Sequence, residues 1–225
     1  MDQLVEIKSK IQINPSRVGK KYFIKTFGCQ MNEHDSERIS GMFELDGMSK
    51  ASSEEFADIL FVNTCTIREN ADDKLYGTLG HLKQWKSERN NRRLLVGGCA
   101  AQKDKELVRE KAPWVDVVMG THNLTDVVNL LNRSEDWGPI TEIIEEIENL
   151  PTEAPSIRES EYSAWLTIQI GCNNSCTFCI VPSVRGYEIS RRPSDIVNEA
   201  NKLVQEGVKE ITLLGQNVNS YGRDL

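Results

Sequence analysis

The sequence lacks most of the features that mark membrane-spanning, secreted and histidine-based proteins. No apolar run approaches the roughly 18 residues that a membrane-spanning helix needs. The opening stretch, MDQLVEIKSKIQINPSRVGK, has no apolar signal core. Only three histidines occur, His34, His81 and His122, too scattered to form a nucleophile–base or metal pair by spacing. The turn VGGC falls short of the GxGxxG pattern, so nucleotide binding there is not supported. These absences describe a cytoplasmic chain with no membrane association. In a reducing compartment, its six cysteines are free, catalytic or metal-bound rather than a disulfide frame.

What is present is an ordinary core-forming composition, 39% hydrophobic and 27% charged. The net charge of −7 argues weakly against a nucleic-acid partner, because it is concentrated. Between Glu142 and Glu161 seven glutamates face one arginine, Arg158, and the rest of the chain is close to neutral. A length of 225 residues allows two units.

Residues 1–20 read as a flexible tail with scope for a short helix. From Lys21 strand-like and helix-like segments alternate. YFIKTFGC (22–29) is a buried strand, and NEHDSERISGMFELDG (32–47) a helix with Asn32 as its N-cap. DILFVNTC (58–65) is a second strand. Ala71, Leu75, Leu79, Leu82 and Trp85 then form a helical stripe. RLLVGGC (93–99) and VDVVMG (115–120) are further strands, followed by helices at 103–111 and 124–132. This alternation predicts an α/β fold with an open, doubly wound parallel sheet over 21–133.

Residues 134–161, with Pro139, Pro151 and Pro155, read as an acidic linker in which ITEIIEEIENL has scope for a strand or helix. A second unit, 162–225, opens with the strand AWLTIQIG (164–171). A cysteine-rich loop, a helix at 194–207 capped by Ser194, and the strand KEITLLG (209–215) follow. These are the first βα units of an incomplete barrel, which typically needs roughly 200 residues or more. The expectation is a fragment of a longer protein, inactive by itself.

The cysteines fall into two sets of three. Cys29, Cys65 and Cys99 each end a predicted strand, 36 and 34 residues apart. In a parallel sheet all C-terminal ends share one edge, where open sheets bind ligands. A single cysteine there would be an ordinary small buried residue. Three at three strand ends point to a metal cluster. Cys172, Cys176 and Cys179 lie in one loop, IGCNNSCTFCIVPSVRG, which can wrap a single inorganic core. Iron–sulfur clusters are held by such thiolates. Zinc is the alternative, but it needs a fourth ligand, and no cysteine or histidine follows Cys179.

The Cx3CxφC loop after a first barrel strand resembles the radical S-adenosylmethionine superfamily. Together with TFGCQMNEHDSER, VNTCTIRENADDK, VGGCAAQ, VMGTHN and LLGQNVNSYG, it is most similar to the methylthiotransferases, over residues 21–225. The closest branch acts on isopentenyladenosine beside the tRNA anticodon. The branches acting on ribosomal protein or threonylcarbamoyladenosine look different after the first cysteine.

The resemblance implies two [4Fe-4S] clusters, one on Cys29, Cys65 and Cys99 and one on Cys172, Cys176 and Cys179. It implies an S-adenosylmethionine site that includes Gly215, Gln216 and Asn217. Phe178, an aromatic residue inside the last cysteine gap, stands where it can shield an adenine. The implied partners are tRNA carrying isopentenyladenosine, an electron donor such as flavodoxin or ferredoxin, and a sulfur donor.

One departure is visible: Tyr187 and Ile189 interrupt the basic run usual in the family, which weakens an RNA-contact reading of Arg185, Arg191 and Arg192. The basic residues Lys83, Lys86, Arg89, Arg92 and Arg93 read as a solvated helix face. His34 and His122 follow strands at the cysteine edge and read as exposed loop residues.

Overall fold

The fold is described from a computed structural model that covers residues 14–66, 71–146 and 154–225. Residues 1–13 of the expected tail, 67–70 of VNTCTIRENADDK and 147–153 of the expected linker lie outside the described residues. Six parallel strands form the first sheet: β1 (Lys21–Thr26), β2 (Ser49–Lys50), β3 (Ile59–Thr64), β4 (Arg93–Gly98), β5 (Val117–Met119) and β6 (Ile140–Glu142). Their order is β2-β1-β3-β4-β5-β6. The chain therefore winds one way from β1 to β2 and the other way from β3 onward. That reversal places a topological switch point between β1 and β3, the crevice where open sheets take ligands.

Successive residues of each strand face opposite sides of the sheet. Leu60, Val62, Leu94 and Val96 pack under α2 (Ala71–Ser87), α3 (Cys99–Asp104) and α4 (Leu107–Lys111). Ile59, Phe61, Leu95, Val117 and Met119 face α1 (Gln30–Leu45) and α5 (Val127–Trp137). Each fully buried side chain of this size stabilises the fold by roughly 1.5–3 kcal/mol relative to exposure. Both faces are covered, as the near-continuous apolar runs of these strands require.

Four local readings change. The helix expected at 103–111 is two short helices, with Lys105 at φ +50° between them. Asn32 lies inside α1, and the N-cap position belongs to Cys29. The helix α7 (Pro193–Gln205) begins after Arg192, so Ser194 is not its cap. The stretch read as linker begins with the last turn of α5 and with β6, which pairs in register with β5 through Val117–Ile140 and Met119–Glu142.

The start of the chain is also less free than expected. Residues 15–17 form a 3-10 turn that buries Arg17 completely, against Asp46 (2.6 Å) and Glu135 (2.6 Å).

The second unit pairs β7 (Ser163–Thr167) with β10 (Glu210–Leu214) in parallel, with α7 packed on the face that presents Ala164 and Leu166. A short antiparallel pair, β8 (Gln169–Ile170) with β9 (Ile189–Ser190), closes the neck of the cysteine loop. Inside that neck lies a five-residue helix, α6 (Val181–Arg185).

Candidate metal centre at the switch point

The three strand-end cysteines converge. Cys29 caps α1, with its carbonyl accepting from the Asn32 and Glu33 amides, and Cys99 begins α3 immediately after β4. A backbone turning directly from strand to helix requires Gly98 at φ +90°. A Cβ there would lie 2.4 Å from Asn63 Oδ1 and 2.5 Å from the Thr64 carbonyl oxygen. Cys65 follows β3, with its Cβ beside Gly28.

One side chain touches all three cysteine-bearing segments. The Nδ2 group of Asn32 donates to the carbonyls of Phe27 (2.9 Å) and Thr64 (2.8 Å), just ahead of Cys29 and Cys65. Its Oδ1 faces the Cys29 thiol at 3.9 Å and the Cys99 thiol at 4.0 Å. Asn32 is fully buried. Two carbonyls on its nitrogen side and a guanidinium on its oxygen side leave the amide one satisfactory orientation.

That guanidinium belongs to Arg185, at the end of α6, just after the second cysteine set. It donates to Asn32 Oδ1 (2.8 Å) and to Asp35 Oδ2 (2.7 Å), and it lies within hydrogen-bonding reach of Cys99. Burial pushes the Cys99 thiol up, and Arg185 pulls it part of the way back. Burial likewise penalises the Arg185 charge, but Asp35 and Cys99 more than offset that, holding its pKa above the ordinary arginine value. Arg185 is only 4% exposed, so it is not the surface phosphate ligand that sequence allowed. Arg191 is buried as well, bridging the Thr167 carbonyl and Glu199, whereas Arg192 is exposed.

The second set is arranged differently. Cys172 is buried, while Cys176 and Cys179 are exposed. The Cys172 amide donates to the Gly186 carbonyl (3.1 Å) and the Cys179 amide to the Cys176 carbonyl (3.1 Å). Gly171 stands at φ +73°, where a Cβ would lie 1.9 Å from the Tyr187 carbonyl oxygen. Gln216 Oε1 accepts from the Gly171 amide (3.1 Å), tying the end of β10 to the start of the loop. Gly215 packs beside Val218 and Gln169, the Asn217 carbonyl accepts from Ser220, and Phe178 is fully exposed.

The two sets lie on neighbouring elements. Cys29 and Met31 pack against Ile170, Leu214, Trp165 and Ile189, so the first cysteine sits beside the strand that leads to Cys172. Thr121 Oγ1 donates to the Val184 carbonyl (2.8 Å), fastening α6 to the turn after β5. None of the six cysteines forms a disulfide.

Among the described residues, no three His, Cys, Asp or Glu side chains are close enough to grip a single metal ion. A multi-iron body spaces its thiolates farther apart than one ion does. The donor set, three sulfurs without a carboxylate or imidazole in the ring, is the softer one that iron–sulfur cores take. A cavity of about 450 Å³ lies between α1 and the β7–β10 pair, lined by Glu33, Ser36, Trp165 and Thr212 among others. No cysteine lines it, whereas a smaller cavity of about 80 Å³ reaches Cys65 and Gly28.

Several sequence readings change here. His34 is buried, with Nδ1 2.8 Å from Thr167 Oγ1, and His122 is half-buried near Gly186. Burial, with Arg185 nearby, lowers the His122 pKa to about 4. The basic run from Lys83 to Arg93, which starts on α2 and ends on β4, is not a freely solvated helix face. Arg92 is buried against the Trp85 ring and donates to the Trp85 and Glu55 carbonyls, and Lys86 pairs with Asp116.

Residues 21–120 match a family described as "Uncharacterized protein family UPF0004", and residues 166–224 match the radical SAM superfamily. A tRNA-2-methylthio-N(6)-dimethylallyladenosine synthase from Nocardia farcinica is 55% identical over 204 residues, covering 90% of this chain and 41% of the relative. The synthase of the same name from Leifsonia xyli subsp. xyli is 53% identical over 217 residues, 96% of this chain and 40% of the relative.

This chain belongs to the radical S-adenosylmethionine methylthiotransferase family. It spans about 40% of the length of the methylthiotransferases it matches. The fold is shared more widely. A radical S-adenosylmethionine methyltransferase, TsrM from Kitasatospora setae, superposes with a TM-score of 0.55 at 9% identity, over 89% of this chain and 48% of that one. No described helix is long and apolar enough to cross a membrane.

Proposed function

We propose that this chain carries the cluster-bearing part of a tRNA methylthiotransferase that converts isopentenyladenosine beside the anticodon to its 2-methylthio derivative. Cys29, Cys65 and Cys99 would hold an auxiliary [4Fe-4S] cluster, and Cys172, Cys176 and Cys179 the cluster that engages S-adenosylmethionine. Gly215, Gln216 and Asn217 would border the methionine end of that cofactor and Phe178 its adenine. The carrying observation is the convergence of the three cysteine-bearing strand ends on Asn32 at the switch point, next to the neck of the second cysteine loop.

When bound, these groups supply radical hydrogen abstraction and sulfur insertion, which no side-chain acid or base can perform on an unactivated aromatic C–H bond. The protein contributes position. Cys29 stands at the N-terminus of a sixteen-residue helix, whose partial positive charge suits an anionic group bound there. Asn32 sets the spacing of the strand ends that carry the sulfurs. Gly171 and Gln216 fix the base of the second loop, so its exposed tip is free to fold around a cluster. The tRNA substrate, a one-electron donor such as flavodoxin or ferredoxin, and a sulfur donor complete the reading.

Anaerobic preparation followed by iron and sulfide analysis tests the clusters. About eight irons and eight sulfides per chain are expected from two cubanes. Replacing Cys29, Cys65 and Cys99 with alanine should remove about half of them. Stoichiometric zinc without sulfide would overturn the reading. The substrate is tested by mass spectrometry of tRNA from a strain lacking the gene, where persistence of the 2-methylthio group would exclude this assignment.

A further inference from the structure

Arg185 reaches from the segment after the second cysteine set to the first set through both charge and hydrogen bonds. It leaves α6 six residues after Cys179 and enters the other unit. There it meets Asp35 at 2.7 Å, Asn32 Oδ1 at 2.8 Å, and the Cys99 sulfur. Its surroundings are polar and closed. Asp35 and Asn32 come from α1, and Asp35 also faces Arg38, buried on the same helix with Arg191 and Glu199 of the second unit beside it. Removing a guanidinium from water costs several kcal/mol even when it is paired. An apolar residue could pack α6 onto the sheet domain without that cost. A cation is suited to this position when its neighbours carry negative charge, as three thiolates on one iron–sulfur core do.

We propose that Arg185 is a positioning residue for the auxiliary site, its cation offsetting the negative charge gathered at Cys29, Cys65 and Cys99 while Asp35 fixes its direction. The inference rests on the reading that those cysteines hold a cluster. Two consequences follow. The cation stabilises the more negative, reduced form of that cluster and so raises its midpoint potential. Because Arg185 belongs to the segment leaving the second cysteine loop, the properties of the auxiliary site depend on that segment being docked.

The test uses the chain with Cys172, Cys176 and Cys179 replaced by alanine, reconstituted with iron and sulfide so that only the auxiliary trio can bind. Iron is counted, and the midpoint potential is followed by electron paramagnetic resonance during one-electron reduction with dithionite. Arg185→Gln should lower the ratio of reduced to oxidised cluster at the parent midpoint by about tenfold, about 59 mV for a one-electron couple. Asp35→Asn should shift the potential upward, and Arg185→Lys should stay near the parent.

A purely structural Arg185 would give the glutamine and lysine variants equal potentials, or shift Arg185→Gln and Asp35→Asn in the same direction, and either result overturns the proposal. Should Arg185→Gln fail to fold, the opposite-sign shift of Asp35→Asn and the retained potential of Arg185→Lys decide the question. A parent chain that binds no iron would instead overturn the cluster reading itself, and the coupling with it.

Discussion

His34 Nδ1 lies 2.8 Å from Thr167 Oγ1, joining α1 of the sheet domain to β7 of the second unit across 133 positions of sequence. The imidazole is buried, and Arg38 on its own helix and Arg191 from the second unit both face it. Burial first, and then those two cations, hold its pKa well below 6.5, so the folded chain keeps it neutral.

The unfolded chain protonates this histidine near pH 6.5, whereas the folded chain resists protonation. The stabilisation from His34 is therefore full above that pH and is lost as the pH falls below it toward the folded value. Thermal unfolding of the chain between pH 7.5 and 5 should show a falling midpoint, and His34→Gln should flatten that slope. An unchanged slope in the variant would remove His34 as its cause.

Asn32→Ala deletes the amide that spans the strand ends of Cys29 and Cys65. It leaves the Phe27 and Thr64 carbonyls buried and without that donor. Each such loss costs about 1–3 kcal/mol, so a loss of about 2–6 kcal/mol in urea unfolding is expected. Iron retained by the auxiliary trio should fall with it. A variant with normal stability and full iron would show that Asn32 does not organise the site.

Gly98→Ala forces a Cβ against Asn63 and Thr64 at a positive φ. Strain of this kind costs about 1–3 kcal/mol, and the steric overlap adds about as much again. The loss should appear as a lower urea midpoint and as weakened iron binding at Cys99, which the same turn presents. A near-neutral effect would mean that the strand-to-helix turn has another way round.

Asp46→Ala strips the buried Arg17 of its 2.6 Å partner and leaves Glu135 as its remaining carboxylate. Breaking a buried ion pair costs about 3–5 kcal/mol, a cost that differential scanning calorimetry will register. A change below about 1 kcal/mol, within the range of surface pairs, would place Arg17 among surface contacts.

The strands carrying the cysteines were legible because buried parallel strands read as unbroken apolar runs. Less legible was whatever depended on distant partners. Arg92, Arg185 and Arg191 read as surface cations, and Arg17 as part of a flexible tail, because their carboxylate, carbonyl or ring partners are tertiary neighbours, except for the local Trp85 and Glu88 beside Arg92. Asn32 read as a helix cap since local pattern makes that its commonest role, and three converging strand ends cannot be seen from one position. The strand β6 was hidden in an acidic stretch because an edge strand of three half-buried residues leaves almost no apolar signature.

The neck of the second cysteine loop has a consequence of its own. With Gly171 pressed to the Tyr187 carbonyl, Cys172 bonded to Gly186 and β8 laced to β9, the loop is a lasso drawn tight at its base and slack at its rim. Spacing between Asn173 and Cys179 can therefore be rewritten by insertion or exchange without disturbing how the loop is moored, since the mooring reaches into the loop only as far as Asn173, whose Oδ1 accepts from the Glu188 amide at 3.0 Å, among the described residues.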